Sequence, residues 1–242
     1  MLHSIGNVTK CQTPKVLQQA AYEYRLQQLL AFDTITEVRM QMQSFRSAIL
    51  GENGINGYIQ TLAVDPFHVT LFTDRQVSLF LRTARRPEGC TIHFDSTGSV
   101  VRKFEEQKDP YFYCCILAGV DIPVFEFVTT DHRKLSIRDK LAIFLAACQQ
   151  VNNNTPVLPK VVVTDFSYAM INAVLEACNT MTLKDYLRAT FNTLRSSTTV
   201  LTFTIIALCN AHMLKAISNR FVAIIIHILY KHFQFIFCRI HV

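Results

Sequence analysis

Tryptophan is absent from this chain, and glycine and proline number only seven each. No low-complexity or repeated segment interrupts it, which excludes repeat arrays and disordered linkers. Half of the residues are hydrophobic and 17% are charged, so the 242 residues suffice for one sizeable core, or for a core with a small N-terminal subdomain. The eight cysteines form no repeated C-x-x-C pairs, and no apolar signal segment opens the sequence. A reduced, intracellular setting is the expectation. Two Asn-x-Thr sequons, at Asn7 and Asn153, matter only in a secreted chain and read here as loop residues.

Acid is also missing from one end. Residues 186–242 hold six Lys or Arg and no Asp or Glu, so the whole net charge of +6 lies there. A basic end is compatible with phosphate backbones, although six cations among mostly apolar residues are a thin signal for nucleic acid.

Thr13-Pro14 predicts a helix start, with a helix to about Leu30 and a possible continuation, after a break, to Ala48. Gly51, Gly54 and Gly57 punctuate a loop, Phe67 to Phe72 alternates as a strand, and Thr73-x-x-Gln76 reads as a capping box before a helix over 77–85. The turn Arg85-Arg86-Pro87-Glu88-Gly89 marks a boundary. Strands are then expected at Thr91–Asp95, Gly98–Lys103 and Tyr111–Val120, an antiparallel meander that Pro123–Thr129 extends. Ser136-x-x-Asp139 reads as a capping box ahead of a helix over 141–151, and Val161–Thr164 as a buried central strand. Ser167 is placed to cap a helix from Tyr168 to about Cys178. A helix over 186–194, a strand over 200–208 and a helix over 212–220 complete the order.

Two carboxylates stand out. Asp95 closes one strand before the small-residue turn Ser96-Thr97-Gly98, and Asp165 closes Val161-Val162-Val163-Thr164. Carboxyl ends of neighbouring parallel strands open onto one crevice, so acids 70 residues apart in sequence can converge there. Convergent carboxylates suit Mg²⁺ or Mn²⁺, the cations of phosphoryl transfer. The competing reading is that each Asp ends its strand and caps the next turn.

Phe94-Asp95-Ser96-Thr97-Gly98, then Val163-Thr164-Asp165-Phe166-Ser167 with Ala169 and Ala173, then Cys209-Asn210-Ala211-His212, together resemble the catalytic core of mutator-like element (MULE) transposases over about residues 55–220. The resemblance implies an α/β, RNase H-like mixed sheet, an antiparallel meander followed by parallel strands, flanked by helices and preceded by a small α/β preface. It implies Asp95 and Asp165 as catalytic metal ligands for Mg²⁺ or Mn²⁺, DNA as the partner and a nuclear location. Cys209 and His212 would orient DNA or brace the helix that carries them. Their spacing also suits two ligands of a zinc site on one helical turn, but no second pair at metal spacing follows and His93, His132 and His227 are too scattered to complete one; the plain reading is a buried strand-end thiol and a first-turn helix residue. Arg102, Lys103, Arg133, Lys134, Lys215 and Arg220 are candidate DNA contacts.

The chain departs from that pattern at one point: the resemblance requires a third acid after the C-x-x-H element, and no acid follows Asp185. Asp139 and Glu176 are weak stand-ins. The expected organisation is therefore an N-terminal region over 1–88, the transposase-like domain over 89–220 and a hydrophobic tail over 221–242. Ten apolar-rich residues open that tail before Lys231, His232 and Gln234 interrupt it, short of the roughly 20 a membrane span requires. It reads as a last helix, a marginal membrane anchor or, the reading favoured, foreign sequence at an incomplete end. The functional expectation is a transposase-derived remnant or co-opted DNA-associated module. The alternatives are an active metal-dependent nuclease or strand-transfer enzyme, and a membrane-tethered protein.

Overall fold

A computed structural model describes residues 14–28, 30–31, 33–48, 53–98, 101, 108–195, 203–210, 212, 214 and 218. Two helices, α1 (Pro14–Gln28) and α2 (Thr34–Ala48), precede a hairpin of β1 (Ile59–Val64) and β2 (Phe67–Leu71). Helix α3 (Asp74–Ala84) leads to the antiparallel strands β3 (Thr91–Gly98), β4 (Tyr111–Leu117) and β5 (Ile122–Thr129). Then come α4 (Lys134–Val151), β6 (Val161–Thr164), α5 (Tyr168–Val174) running into a π-helical turn (Leu175–Asn179), α6 (Leu183–Arg195) and β7 (Ile205–Leu208).

The seven strands among the described residues share one sheet, in the order β1-β2-β5-β4-β3-β6-β7. Strand β3 is its pivot, antiparallel to β4 on one side and parallel to β6 on the other, and β7 continues the parallel half. The hairpin of the N-terminal region is no separate layer, because β2 pairs antiparallel with β5 and adds two strands to the meander's edge. The pattern of residues 59–64 gives little sign of a strand, since Gln60 and Thr61 break the alternation. Its register shift at Ile59/Thr61 is the structural counterpart.

Period-2 alternation divides the sheet's two faces. Ile92, Phe94, Tyr113, Cys115, Phe127 and Val162 lie on the face that α3, α4 and α5 cover, in one core with Val77, Phe80, Leu141, Phe144, Cys148, Met170 and Val174. Aromatic rings fill it: Phe125 stacks on Phe144 at 5.0 Å and Tyr113 on Phe127 at 4.5 Å, while Phe80 meets Phe144 edge-on at 5.3 Å. Cys90, Cys115 and Cys148 are buried there. On the opposite face, Val38 and Met42 of α2 close over Phe67, Val69 and Val128.

Three local expectations give way. The turn expected at Ser96-Thr97-Gly98 is strand: these residues pair with Tyr113, Phe112 and Tyr111 of β4. Gly98 makes room there for Tyr111, whose ring would stand 3.1 Å from an added Cβ. Of the strand expected over 98–103, Gly98 instead closes β3 and Val101 lies in a bend, while residues 99–100 and 102–107 lie outside those described. Ser136 and Asp139 form no capping box, because α4 has already begun at Lys134. Asp131 holds that entry by accepting the Arg133 N–H at 3.1 Å and its side chain at 2.9 Å. Strand β7 spans Ile205–Leu208 of the expected 200–208, and residues 200–202 lie outside the description.

The capping box at Thr73 and Gln76 does form, with both reciprocal hydrogen bonds. Replacing Thr73 by Ala should lower stability by about 1 kcal/mol, whereas Ser136→Ala, inside α4, should change it by no more than a few tenths. Urea-denaturation midpoints of the two variants check this.

Candidate metal-binding site

The parallel pairing of β3 with β6 ends at Phe94 and Thr164, and the next residue on each strand is an acid, Asp95 and Asp165. Asp95 is not at a strand end, since β3 continues to Gly98 along β4. It sits where β3 parts from β6 and continues with β4 alone. Its carboxylate is exposed, and Oδ1 accepts the Ser96 N–H at 2.8 Å. Asp165 directly follows β6, half-buried, and its Oδ1 accepts the Ser167 N–H at 3.0 Å. Ser167 in turn caps α5, its Oγ accepting the Met170 N–H at 3.4 Å.

Burial raises the Asp165 carboxyl above its ordinary range and Asp95 adds to the rise, while the Ser167 hydrogen bond and His212 oppose it. The two acids therefore feel each other. His212 belongs to the same corner: β7 ends beside Asp165, with the Cys209 N–H donating to the Thr164 carbonyl at 2.8 Å. Asn210 and His212 are helical. The His212 Nδ1 is buried without a hydrogen-bond partner among the described residues. The fold thus gathers all four highlighted motif residues at one end of the sheet: Asp95 and Asp165 on neighbouring strands, Cys209 directly after β7 and His212 three residues further on.

The remaining candidates fall elsewhere. Asp139 pairs with Arg138, and Glu176 is clamped by Lys134 at 2.7 Å and Arg138 at 2.8 Å, whose hydrogen bonds hold its carboxyl below the usual range. Neither adds a third acid to the pair. Among the described residues no group of three or more His, Cys, Asp or Glu side chains is arranged to hold a metal ion. Arg133 is bound to Asp131 and Lys134 to Glu176. Arg102, Lys103, Lys215 and Arg220 lie outside the described residues, as does His227. His132 is committed elsewhere, to the Tyr113 hydroxyl at 3.3 Å and the Asp109 carbonyl at 2.9 Å.

A row that sequence reading did not single out runs beside Asp95 across the half-buried face opposite the main core. Asp95 pairs with Cys114 of β4, and Cys114 with Glu126 of β5, whose carboxylate accepts the Tyr58 hydroxyl. The Cys114 thiol is pushed up to about 11 by burial and by the acids on either side. It is a protonated neighbour at neutral pH rather than a nucleophile. Only strand register, which no local motif encodes, aligns these residues.

Among the described residues no helix is long and apolar enough to cross a membrane, and the tail 221–242 lies outside them. No family model matches the chain, and no solved structure matches it. A curated protein does: the 120.7 kDa protein in NOF-FB transposable element of Drosophila melanogaster is 27% identical over 179 residues. The chain is similar to a transposon-encoded protein. The match covers 70% of this chain and 16% of that protein, so the chain spans a small part of its relative's length. A transposon-derived origin is what this likeness supports, without singling out the mutator-like family.

With Asp165 raised by burial, its ionisation opposes folding: the uncharged form's contribution is complete below the unfolded-state value and is lost as pH rises through the folded one. Asp165→Asn should therefore be more stable than wild type near pH 7, with the gain vanishing near pH 3, where the acid is protonated in both states. Denaturant titrations at the two pH values check the sign.

Proposed function

We propose that this chain is a transposase-derived, RNase H-like module in which Asp95 and Asp165 hold a divalent cation against the DNA backbone. The observation that carries the reading is the succession Phe94–Thr164, then Asp95 and Asp165, on adjacent parallel strands. The order β5-β4-β3-β6-β7, three antiparallel strands followed by two parallel ones, supports the RNase H-like part of it, and the transposon-encoded relative supports the origin. DNA as partner and a nuclear location belong to the same reading.

The donor set fits a hard cation. Two carboxylates offer oxygen ligands suited to Mg²⁺ or Mn²⁺ and not to a thiophilic metal, and a cation held by both would offset the repulsion between the half-buried Asp165 and Asp95. Such a cation would supply charge stabilisation at a phosphate oxygen. The chain's own contribution is positioning: sheet pairing fixes Asp95, the Ser167 N–H orients Asp165, and His212 adds a buried ring nitrogen beside them. A third carboxylate is absent from the described site, and Asp139 and Glu176 are tied up in ion pairs. On these grounds the module holds DNA without cutting it unaided.

Calorimetric titration of the full chain with Mn²⁺ tests this. Binding is expected in the wild type and should be lost in both Asp95→Ala and Asp165→Ala. No binding, or binding indifferent to both substitutions, would reduce the two acids to turn-capping residues and overturn the reading. Supercoiled plasmid incubated with the chain and Mn²⁺ should stay intact; nicking that disappears in Asp95→Ala would instead make it a nuclease with a third ligand from elsewhere.

A further inference from the structure

The residues on either side of Ser167 are large, aromatic and turned to solvent. Phe166 is 56% exposed and Tyr168 67%, and their rings meet edge to face at 6.4 Å and 82°. Helix α5, which Tyr168 opens, packs through Met170, Ile171, Ala173 and Val174 and leaves both rings outside every core cluster. Lone exposed apolar residues are ordinary. Two rings at alternate positions directly after a candidate metal ligand are a local concentration that packing does not explain.

Their placement relative to Asp165 is fixed. The same turn that carries the rings is locked by the Ser167 N–H on Asp165 Oδ1 and by the Met170 N–H on Ser167 Oγ. Consecutive Cα atoms are about 3.8 Å apart, so the rings start one and three steps from the carboxylate. That is the scale of one or two nucleotides, which rise about 3.4 Å each along a stacked strand. An exposed ring offers a face to any base, but a base inside a continuous duplex has both faces covered. Only an unpaired, flipped or frayed nucleotide can use it. Charge agrees with a nucleic-acid strand as occupant: beyond Asp185 the chain carries six cations and no acid, and Cys209 and His212 of that acid-free region lie at this corner.

We propose that Phe166 and Tyr168 form a stacking platform for an unpaired nucleotide of DNA beside the Asp95–Asp165 pair. The platform rests on the reading given under the proposed function and extends it to the form of DNA engaged: single-stranded or opened rather than intact duplex.

Fluorescence anisotropy with a labelled single-stranded oligonucleotide, and with a hairpin-closed duplex of the same sequence, tests this on the full chain in Mn²⁺. The single strand should bind more tightly than the duplex. Phe166→Ala and Tyr168→Ala should each weaken single-strand binding about tenfold, a change of about 1.4 kcal/mol, and leave duplex binding nearly unchanged. Phe166→Tyr and Tyr168→Phe should retain it. Because both rings are exposed, thermal midpoints and calorimetric Mn²⁺ binding should match wild type in all four variants, which separates lost stacking from lost folding. Single-strand binding that is absent, no tighter than duplex binding, or indifferent to both rings overturns the platform. Mn²⁺ bound with strand binding indifferent to the rings removes the platform and keeps the cation site; ring-dependent strand binding without Mn²⁺ binding does the reverse.

Discussion

The parallel pairing of β3 with β6 is the interaction on which the rest of this site depends. Its four registered pairs, Thr91 to Phe94 against Val161 to Thr164, bring two residues 70 positions apart to the same level of the sheet. Burial of Ile92, Phe94 and Val162 beneath α4 and α5 holds that register, because a slip of one residue would turn the apolar set outward. The aromatic core of Phe72, Phe80, Phe125, Phe127 and Phe144 anchors the helices that provide the cover. Two carboxylates forced together in this way oppose each other, and the Asp165–Ser167 hydrogen bond together with His212 offsets part of that opposition.

Much of this was legible in the sequence, for identifiable reasons. Val161–Thr164 reads as a strand because it is a short β-branched run bounded by Pro159 and Asp165, although only Val162 and Thr164 are buried and Val161 and Val163 lie on a half-covered face, and Thr73 and Gln76 announce α3 because reciprocal capping needs only local residue types. Asp95 and Asp165 could be paired on paper because each ended an apolar run. What could not be read was pairing over distance. The small polar residues after Asp95 favour a turn locally, and only the presence of Tyr111, Phe112 and Tyr113 opposite makes them strand. The Asp95, Cys114 and Glu126 row belongs to the same class, since its members share no motif and meet solely through register.

The false capping box at Ser136 is instructive because the residue types were right and the position was wrong. Serine and aspartate three apart also occur within a helix, where they lie on neighbouring surface positions. Asp131 had already organised the chain's entry three residues before Lys134. Asp139 is then free to pair with Arg138, and Arg138 reaches Glu176, so residues considered as metal ligands instead tie α4 to the π-helical turn. Recurrence of one carboxylate chemistry in two roles is why candidate acids need geometry as well as identity.

The buried cysteines bear on the chain's resistance to oxidants. Burial drives the Cys90 thiol up to about 11 and the Cys178 thiol up to about 12, with Cys115 and Cys148 raised in the same direction. Peroxide and disulfide exchange act on the thiolate, and little of it exists here at neutral pH. A sulfur-rich interior in this fold is therefore chemically quiet, behaving as a set of small apolar side chains that fill space between sheet and helices rather than as a store of redox capacity.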